Sequence, residues 1–390
     1  MTDSDNATSP LSFYVTEAGR DHAFFVASVR SPMDAGEAAQ LSYAKIAELL
    51  ERRSMAIVHE RIFGSLSKEH SVMAARSHEL RSKGITADNP VTYVQGQPTW
   101  GDGVAGVIIH AVASSGPDGD LWTITDEGRA CGRGWRRYGT TFLALQNIQG
   151  LVSGHQRTTR PLEVRRMIER AERILRAQGA SYLDVVRTWL YISDILDWYA
   201  EFNKVRSEKY GEFGIMPGPD DGRLLLPAST GISGDSPSGC ACSMDLIAVA
   251  GEGHERSRVK RFTNARQLDA FRYGSAFSRA TLVHEQGVSL FHVSGTAAID
   301  EHGESLFLGD VSGQIERTFE NVEALMGQVD GVLGDIAAAT VFVKRPEDAA
   351  LFWEMAAARR LERFPAVCVV GDVCRDELLF EIDAEAVIQG

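Results

Sequence analysis

At 390 residues and 44% hydrophobic composition, the chain is too long for one ordinary domain and apolar enough to bury two or three cores. Its 40 basic and 53 acidic residues leave a net charge of −13, which argues against a general nucleic-acid surface, since binding a phosphate backbone needs a basic face. No apolar run approaches the roughly 18 residues of a membrane helix, and the polar first ten residues lack a leader pattern, so no membrane association and a cytoplasmic location are expected.

A hairpin-like stretch over 13–29 comes first, followed by a helix over 34–53 with Ala38, Leu41, Ile46, Leu49 and Leu50 at helical spacing behind an Asp34 cap. A strand over 55–63, a helix over 67–82 and strands over 91–94 and 104–113 complete this first set. Within it, Gly101-Asp102-Gly103-Val104-Ala105-Gly106 fits the spacing of a dinucleotide fingerprint. That fingerprint must open a helix, whereas residues 107–112 read as a strand, so a glycine-rich hairpin turn is the reading taken.

A second hairpin-like stretch over 121–148 precedes a helix over 161–178, with Pro161 in its first turn and Gly179 after its end. A strand over 185–192, a helix over 195–210 and strands over 225–232 and 241–250 follow. Two basic islands, 133–137 and 157–160, could face a carboxylate ligand, although such islands are more often solvated surface. The charged stretch 251–269 reads as a linker.

The third set has a hairpin-like stretch over 282–308, a helix over 311–328, a strand over 336–343, a helix over 346–363 and strands over 366–371 and 377–388. First-to-second helix intervals are 67 − 34 = 33, 195 − 161 = 34 and 346 − 311 = 35 residues, a periodicity that points to tandem modules. The expected domains are 1–116, 117–252 and 253–390. Each is an α+β module, a mixed sheet with two helices on one face, and three open sheet faces can bury one another in a pseudo-trimeric core with sites in the clefts. Further oligomerisation is left open.

Only the third copy ends in a motif dense with reactive groups, Asp372-Val373-Cys374-Arg375-Asp376-Glu377-Leu378-Leu379-Phe380-Glu381-Ile382-Asp383. Glu381 lies between apolar residues on a strand, where burial would raise its proton affinity; a solvated strand carboxylate is the plainer alternative. Aligning Ala111, Ala248 and Ala384 makes Ile108 and Asp245 its counterparts. The five cysteines (Cys131, Cys240, Cys242, Cys368, Cys374) lack CxxC spacing and are expected as reduced thiols, with no metal site. The ten histidines show neither HxH nor HExxH, and no G-x-S-x-G elbow occurs.

Val293-Ser294-Gly295-Thr296, Thr340-Val341-Phe342-Val343 and the closing strand resemble a module of the RidA/YjgF (chorismate-mutase-like) fold, as does Gly179-Ala180-Ser181-Tyr182-Leu183-Asp184-Val185-Val186-Arg187-Thr188. RidA-type enamine deaminases carry an arginine shortly after the proline opening the penultimate strand; here Ala366 and Val367 follow Pro365, which argues against imine or enamine hydrolysis. Arg187-Thr188-Trp189-Leu190-Tyr191, the stretch from Leu196 to Arg206, Leu226-Pro227-Ala228-Ser229-Thr230-Gly231-Ile232 and Asp372-Val373-Cys374-Arg375 resemble the chorismatases over about residues 135–388. That resemblance implies a cofactor-free enzyme that cleaves chorismate to pyruvate and 3-hydroxybenzoate. Glu381 would protonate the enolpyruvyl methylene, and Cys374, diagnostic of hydroxybenzoate-forming members, would assist an epoxide-like route to the aromatic product.

Chorismate's two carboxylates need cationic or hydrogen-bonding partners, for which Arg206, Arg223 and Tyr210 are candidates, with Arg157 and Arg160 weaker ones. Gly295 and Thr296 could let backbone approach the ring. The alternatives are a hydrolytic chorismatase giving a dihydroxycyclohexadiene carboxylate, a producer of mixed 3- and 4-hydroxybenzoate, and a non-enzymatic metabolite-binding protein.

Overall fold

The computed structural model describes residues 10–115, 120–151, 158–217, 223–251 and 258–389. The expected boundaries at 116/117 and 252/253 therefore touch stretches outside the described residues, as do the N-terminal nine residues.

Three mixed sheets follow one plan. The first contains β1 (Leu11–Ala18), β2 (His22–Val29), β3 (Met55–Gly64), β4 (Thr92–Gln95) and β5 (Val104–Ala113) in the order β1-β2-β5-β3-β4. Helices α1 (Ala35–Arg53) and α2 (Glu69–Ser82) belong to it, and Asp34 caps α1 by accepting from Glu37 N. The second module has β6 (Leu121–Asp126), β7 (Arg129–Arg137), β8 (Thr140–Gln149), α3 (Arg160–Ala177), β9 (Val185–Ile192), α4 (Ile195–Glu212), β10 (Ala228–Ser233) and β11 (Cys242–Ala250). Its sheet runs β10-β9-β11-β8-β7-β6. The third has β12 (Val259–Phe262), β13 (Ala280–Glu285), β14 (Val288–Ala297), α5 (Val311–Met326), β15 (Ile336–Val343), α6 (Asp348–Ala358), β16 (Ala366–Val370) and β17 (Phe380–Gln389), ordered β12-β13-β14-β17-β15-β16. In each sheet the strand after the first helix pairs parallel with the penultimate strand and antiparallel with the closing one.

Part of the expected linker is β12, a four-residue edge strand. Val-Lys-Arg-Phe is too short and too charged for alternation to reveal it. Residues 121–148 likewise form three strands rather than a simple hairpin, because a two-residue turn at Glu127-Gly128 inserts β6 before β7.

Helices cover one face of each sheet with a separate apolar core, and the opposite faces meet in one central core that takes residues from all three modules, including Phe24, Trp135, Phe142, Trp189, Leu290 and Val367. A polar network lies within that centre. His22 Nε2 is 2.9 Å from Glu285, His59 Nε2 is 2.9 Å from Asp245, Arg61 donates to Glu385 at 3.1 Å, and Arg187 lies 3.4 Å from Asp383. Every one of these pairs joins two modules, and a buried charge left without its partner would be costly.

A bulge falls at the same place in each sheet, after Ile57, Val185 and Ile336, and those residues pair with Ala111, Ala248 and Ala386. The counterpart of Ala111 and Ala248 is thus Ala386, not Ala384. Counting back five residues along the closing strands, Glu381 corresponds to Gly106 and Ser243, while Ile108 and Asp245 correspond to Asp383. Short closing strands full of alanine can be slid by two residues without disturbing their apolar pattern, which is why sequence alignment alone misplaced the register.

Candidate active site

The cleft between the second and third modules holds a cavity of about 380 Å³. Its second-module wall is α4 with Ser229 and Gly231 of β10; its third-module wall comprises Tyr273, Ser275, Phe277 and Arg279, with Gly295 and Ala297 of β14, Ile299, Cys374, Arg375 and Glu381. Backbone bonds close the seam beneath it: Ser229 N donates to Ser294 Oγ at 2.8 Å and Ser233 N to Asp372 O at 3.0 Å.

Glu381 stands on β17 at the cavity wall, only 4% exposed. It makes no hydrogen bond or ion pair with any described residue. Burial, and after it the charge of Asp383, pushes its proton affinity up to about 8, against the opposing pull of Arg187 and Arg279. Gly295 makes this placement possible. A Cβ at Gly295 would overlap Glu381 Oε1, so only glycine leaves room for the carboxyl. The Gly295 N–H donates to Thr230 Oγ1 at 3.1 Å, and Arg187 Nη2 reaches the same oxygen at 2.7 Å.

Two buried guanidinium groups face the cavity. Arg206 of α4 donates to Asn203 Oδ1 at 2.5 Å, and Arg279 donates to Tyr273 Oη at 3.0 Å and to Leu268 O. The Phe277 ring lies 5.9 Å from the Arg206 guanidinium and 5.4 Å from that of Arg279. Each arginine commits Nη2 to protein partners, and neither Nη1 has a partner among the described residues. Such a pair suits a ligand with two anionic groups. Cys374 occupies the turn before β17, half-buried in the same wall, and burial, then Glu381, pushes its thiol up to about 12. It stands there as a neutral SH group.

The structure therefore brings together Glu381, Cys374, Arg206 and Gly295. It does not bring Arg223, Tyr210 or Thr296 to the cavity. Arg223 is exposed ahead of β10, because the expected strand start at 225 falls instead at Ala228. Tyr210 faces the other way into the α3–α4 core against Tyr182, 5.4 Å between ring centroids. Thr296 turns into β14 and donates to Ser294 O at 2.8 Å. Arg157 lies outside the described residues, and Arg160 sits at the rim, 2.6 Å from Asp194 and 5.4 Å from the Trp198 ring.

Arg279, Tyr199, Tyr273 and Phe277 were not foreseen. Tyr199 and Trp198 stand within the Leu196–Arg206 stretch of the expected 195–210 helix, where nothing in the apolar spacing gives them a role. In fact Asp194 is left-handed at φ 49° and Trp198 breaks the helix at φ −150°, which turns Leu196 to Ala200 onto the cavity. Arg279 carries no local signal, since the cavity it lines is formed only between two docked modules. Among the described residues no group of three His, Cys, Asp or Glu side chains could hold a metal, and no helix is long and apolar enough to cross a membrane.

Residues 274–388 match the family model described as Endoribonuclease L-PSP. A protein of Streptomyces hygroscopicus named chorismatase is 30% identical over 230 residues, which cover 53% of this chain and 62% of that protein. A 3-hydroxybenzoate synthase of the same organism is 28% identical over 230 residues, 52% of this chain and 63% of that protein. The chain thus spans under two thirds of these relatives' own length. A crystallised chorismatase superimposes with a TM-score of 0.61 at 21% identity, covering 85% of this chain and 93% of its own, which shows a common fold.

Proposed function

We propose that this chain, a chorismatase relative assembled from RidA-like modules, converts chorismate to pyruvate and 3-hydroxybenzoate in the cleft between its second and third modules. The observation that carries the reading is a carboxyl buried at the wall of a cavity that two partly uncommitted arginines also face, a setting that raises its proton affinity.

Chorismate carries two carboxylates and an enol ether; in this reading Arg206 and Arg279 hold the carboxylates while Tyr199 and Phe277 flank the ring, supported by all four lining one cavity. Glu381 delivers its proton to the terminal methylene of the enolpyruvyl group. The C4 hydroxyl then displaces that group at C3, returning its proton to the Glu381 carboxylate, while the C3–O bond breaks and the departing oxygen leaves as the ketone of pyruvate. Opening of the resulting C3–C4 epoxide at C4, with loss of the C3 proton, gives the aromatic ring and retains one oxygen. Atoms balance without an oxidant or added water. Cys374, a neutral thiol beside Glu381, assists the opening by donating a hydrogen bond.

Incubating purified protein with chorismate and separating the products tests this directly. Pyruvate and 3-hydroxybenzoate in equal amounts are expected, with Cys374→Ala changing the aromatic product more than the pyruvate yield. A diene diol would reassign the second step to water. No pyruvate at all would remove the enzymatic reading.

A further inference from the structure

On β17 the side chains of Glu381, Asp383 and Glu385 alternate with Phe380, Ile382 and Ala384, which pack under the helices of the third module. The three carboxyl groups therefore leave one face of one strand, each about 7 Å from the next along the chain. They are unequally provided with cations. Glu385 accepts from Arg61 at 3.1 Å and lies 3.5 Å from His292. Asp383 lies 3.4 Å from Arg187 and 3.9 Å from Arg61. Both guanidinium groups are fixed, each 4.4 Å from the ring centroid of Trp189. Glu381, at the cleft end of the row, has no ion-pair partner among the described residues.

We propose that Asp383 is a positioning residue for proton transfer: its charge, held by Arg187 of the second module and Arg61 of the first, keeps Glu381 in the acid form. The inference rests on Glu381 being the proton donor. Two guanidinium groups balance two carboxylates, and a third carboxyl beside a fixed negative charge in a poorly solvated wall retains its proton. Although burial opposes ionisation of Glu385, the nearby His292 and the charge of Arg61, which donates to it, hold it well below the usual range, so the inner end of the row is the charged end. Other polar groups also face Glu381. Cys374 and Arg375 come from the preceding turn, Tyr199 and Arg206 from α4, and Tyr273 and Arg279 from the segment before β13. None of these changes when Asp383 is altered. The first module, none of whose described residues lines the cavity, thereby acts on the chemistry through the charge of Arg61.

The test is the pH dependence of kcat/KM for pyruvate release by wild type, Asp383→Asn and Glu381→Gln. Wild type should lose activity as pH rises through about 8. Asp383→Asn should move that limb to lower pH by roughly one to two units. A limb that stays in place while rates fall at every pH makes Asp383 merely structural and overturns the proposal. Should Asp383→Asn fail to fold, the charge-neutral pair Asp383→Asn with Arg187→Gln replaces it. Because Asp383 outweighs Arg187 at Glu381, the limb should again move down, by less; an unmoved limb overturns the proposal here too. Near wild-type pyruvate release by Glu381→Gln is a different failure, that of the proton-donor reading itself.

Discussion

Glu381 combines two properties that conflict, a carboxyl and a dry setting. Its folded proton affinity, about 8, exceeds the value near 4.5 of a solvated glutamate. Between those pH values the folded protein binds more protons than the unfolded chain, so stability falls as pH rises across that window. Glu381→Gln should therefore abolish most pyruvate release, by about 10²-fold or more, yet melt several degrees above wild type at pH 9 and close to it at pH 5. Equal melting temperatures at both pH values would contradict the raised affinity. Gly295→Ala should be damaging in another way. The added methyl displaces Glu381 Oε1, so kcat should drop by roughly tenfold or more while the fold survives; unchanged kcat would mean the carboxyl has room to move. Glu381 and Cys374 were legible in the sequence because one repeat alone carries reactive residues where the others do not. Arg279 and Asp383 were not, since their meaning depends on groups that come from other modules.

At the level of elements, α4 shows why a correct helix can still misassign its residues. Its interval from α3 is 195 − 160 = 35 residues, close to 69 − 35 = 34 and 348 − 311 = 37 in the other modules, and this repetition was readable from apolar spacing. The break at Trp198 was not, because a local departure in φ leaves no periodic trace. That first turn is tied down by Arg160, which pairs with Asp194 and lies over Trp198, and by Trp198 Nε1 donating to Ser193 O at 2.8 Å. Half-exposed ion pairs contribute at most about 1 kcal/mol. Arg160→Ala is accordingly expected to leave the melting temperature within a degree or two while raising KM for chorismate several-fold. Steady-state kinetics beside calorimetry would separate the two, and an unchanged KM would show that Trp198 holds the turn unaided.

Across the whole molecule, the seams between modules are polar at their centre and apolar around it. His110, 2.9 Å from His22 and stacked 4.5 Å from Phe24, is held well below the usual histidine range by burial and then by His22. A histidine kept neutral in the fold but free to protonate when unfolded contributes stability that is present above about pH 6.5 and is lost as pH falls below it. Over pH 7 to 5 this loss opposes the gain from Glu381, so the variant is compared with wild type: His110→Gln should lower the melting temperature at pH 7 and narrow its deficit by pH 5, whereas a deficit equal at both pH values would place the acid sensitivity elsewhere. The three-module plan was apparent from the sequence, but the pairing across seams was not, since nothing local to one repeat records which residue of the next it will meet.

The bulge that fixes the register also shows what covalent linkage permits. Arg61, Trp189 and Thr340 occupy one pseudo-equivalent position, and their partners Ile108, Asp245 and Asp383 occupy another. In an assembly of three identical chains, any substitution at such a place is made three times at once, so a new guanidinium arrives as three like charges converging on the axis. A single gene removes that coupling. Each of the six places could be sampled by itself, and a stack of cation, indole and carboxylate, which no strict threefold arrangement of one sequence could contain, became attainable at the centre of this molecule.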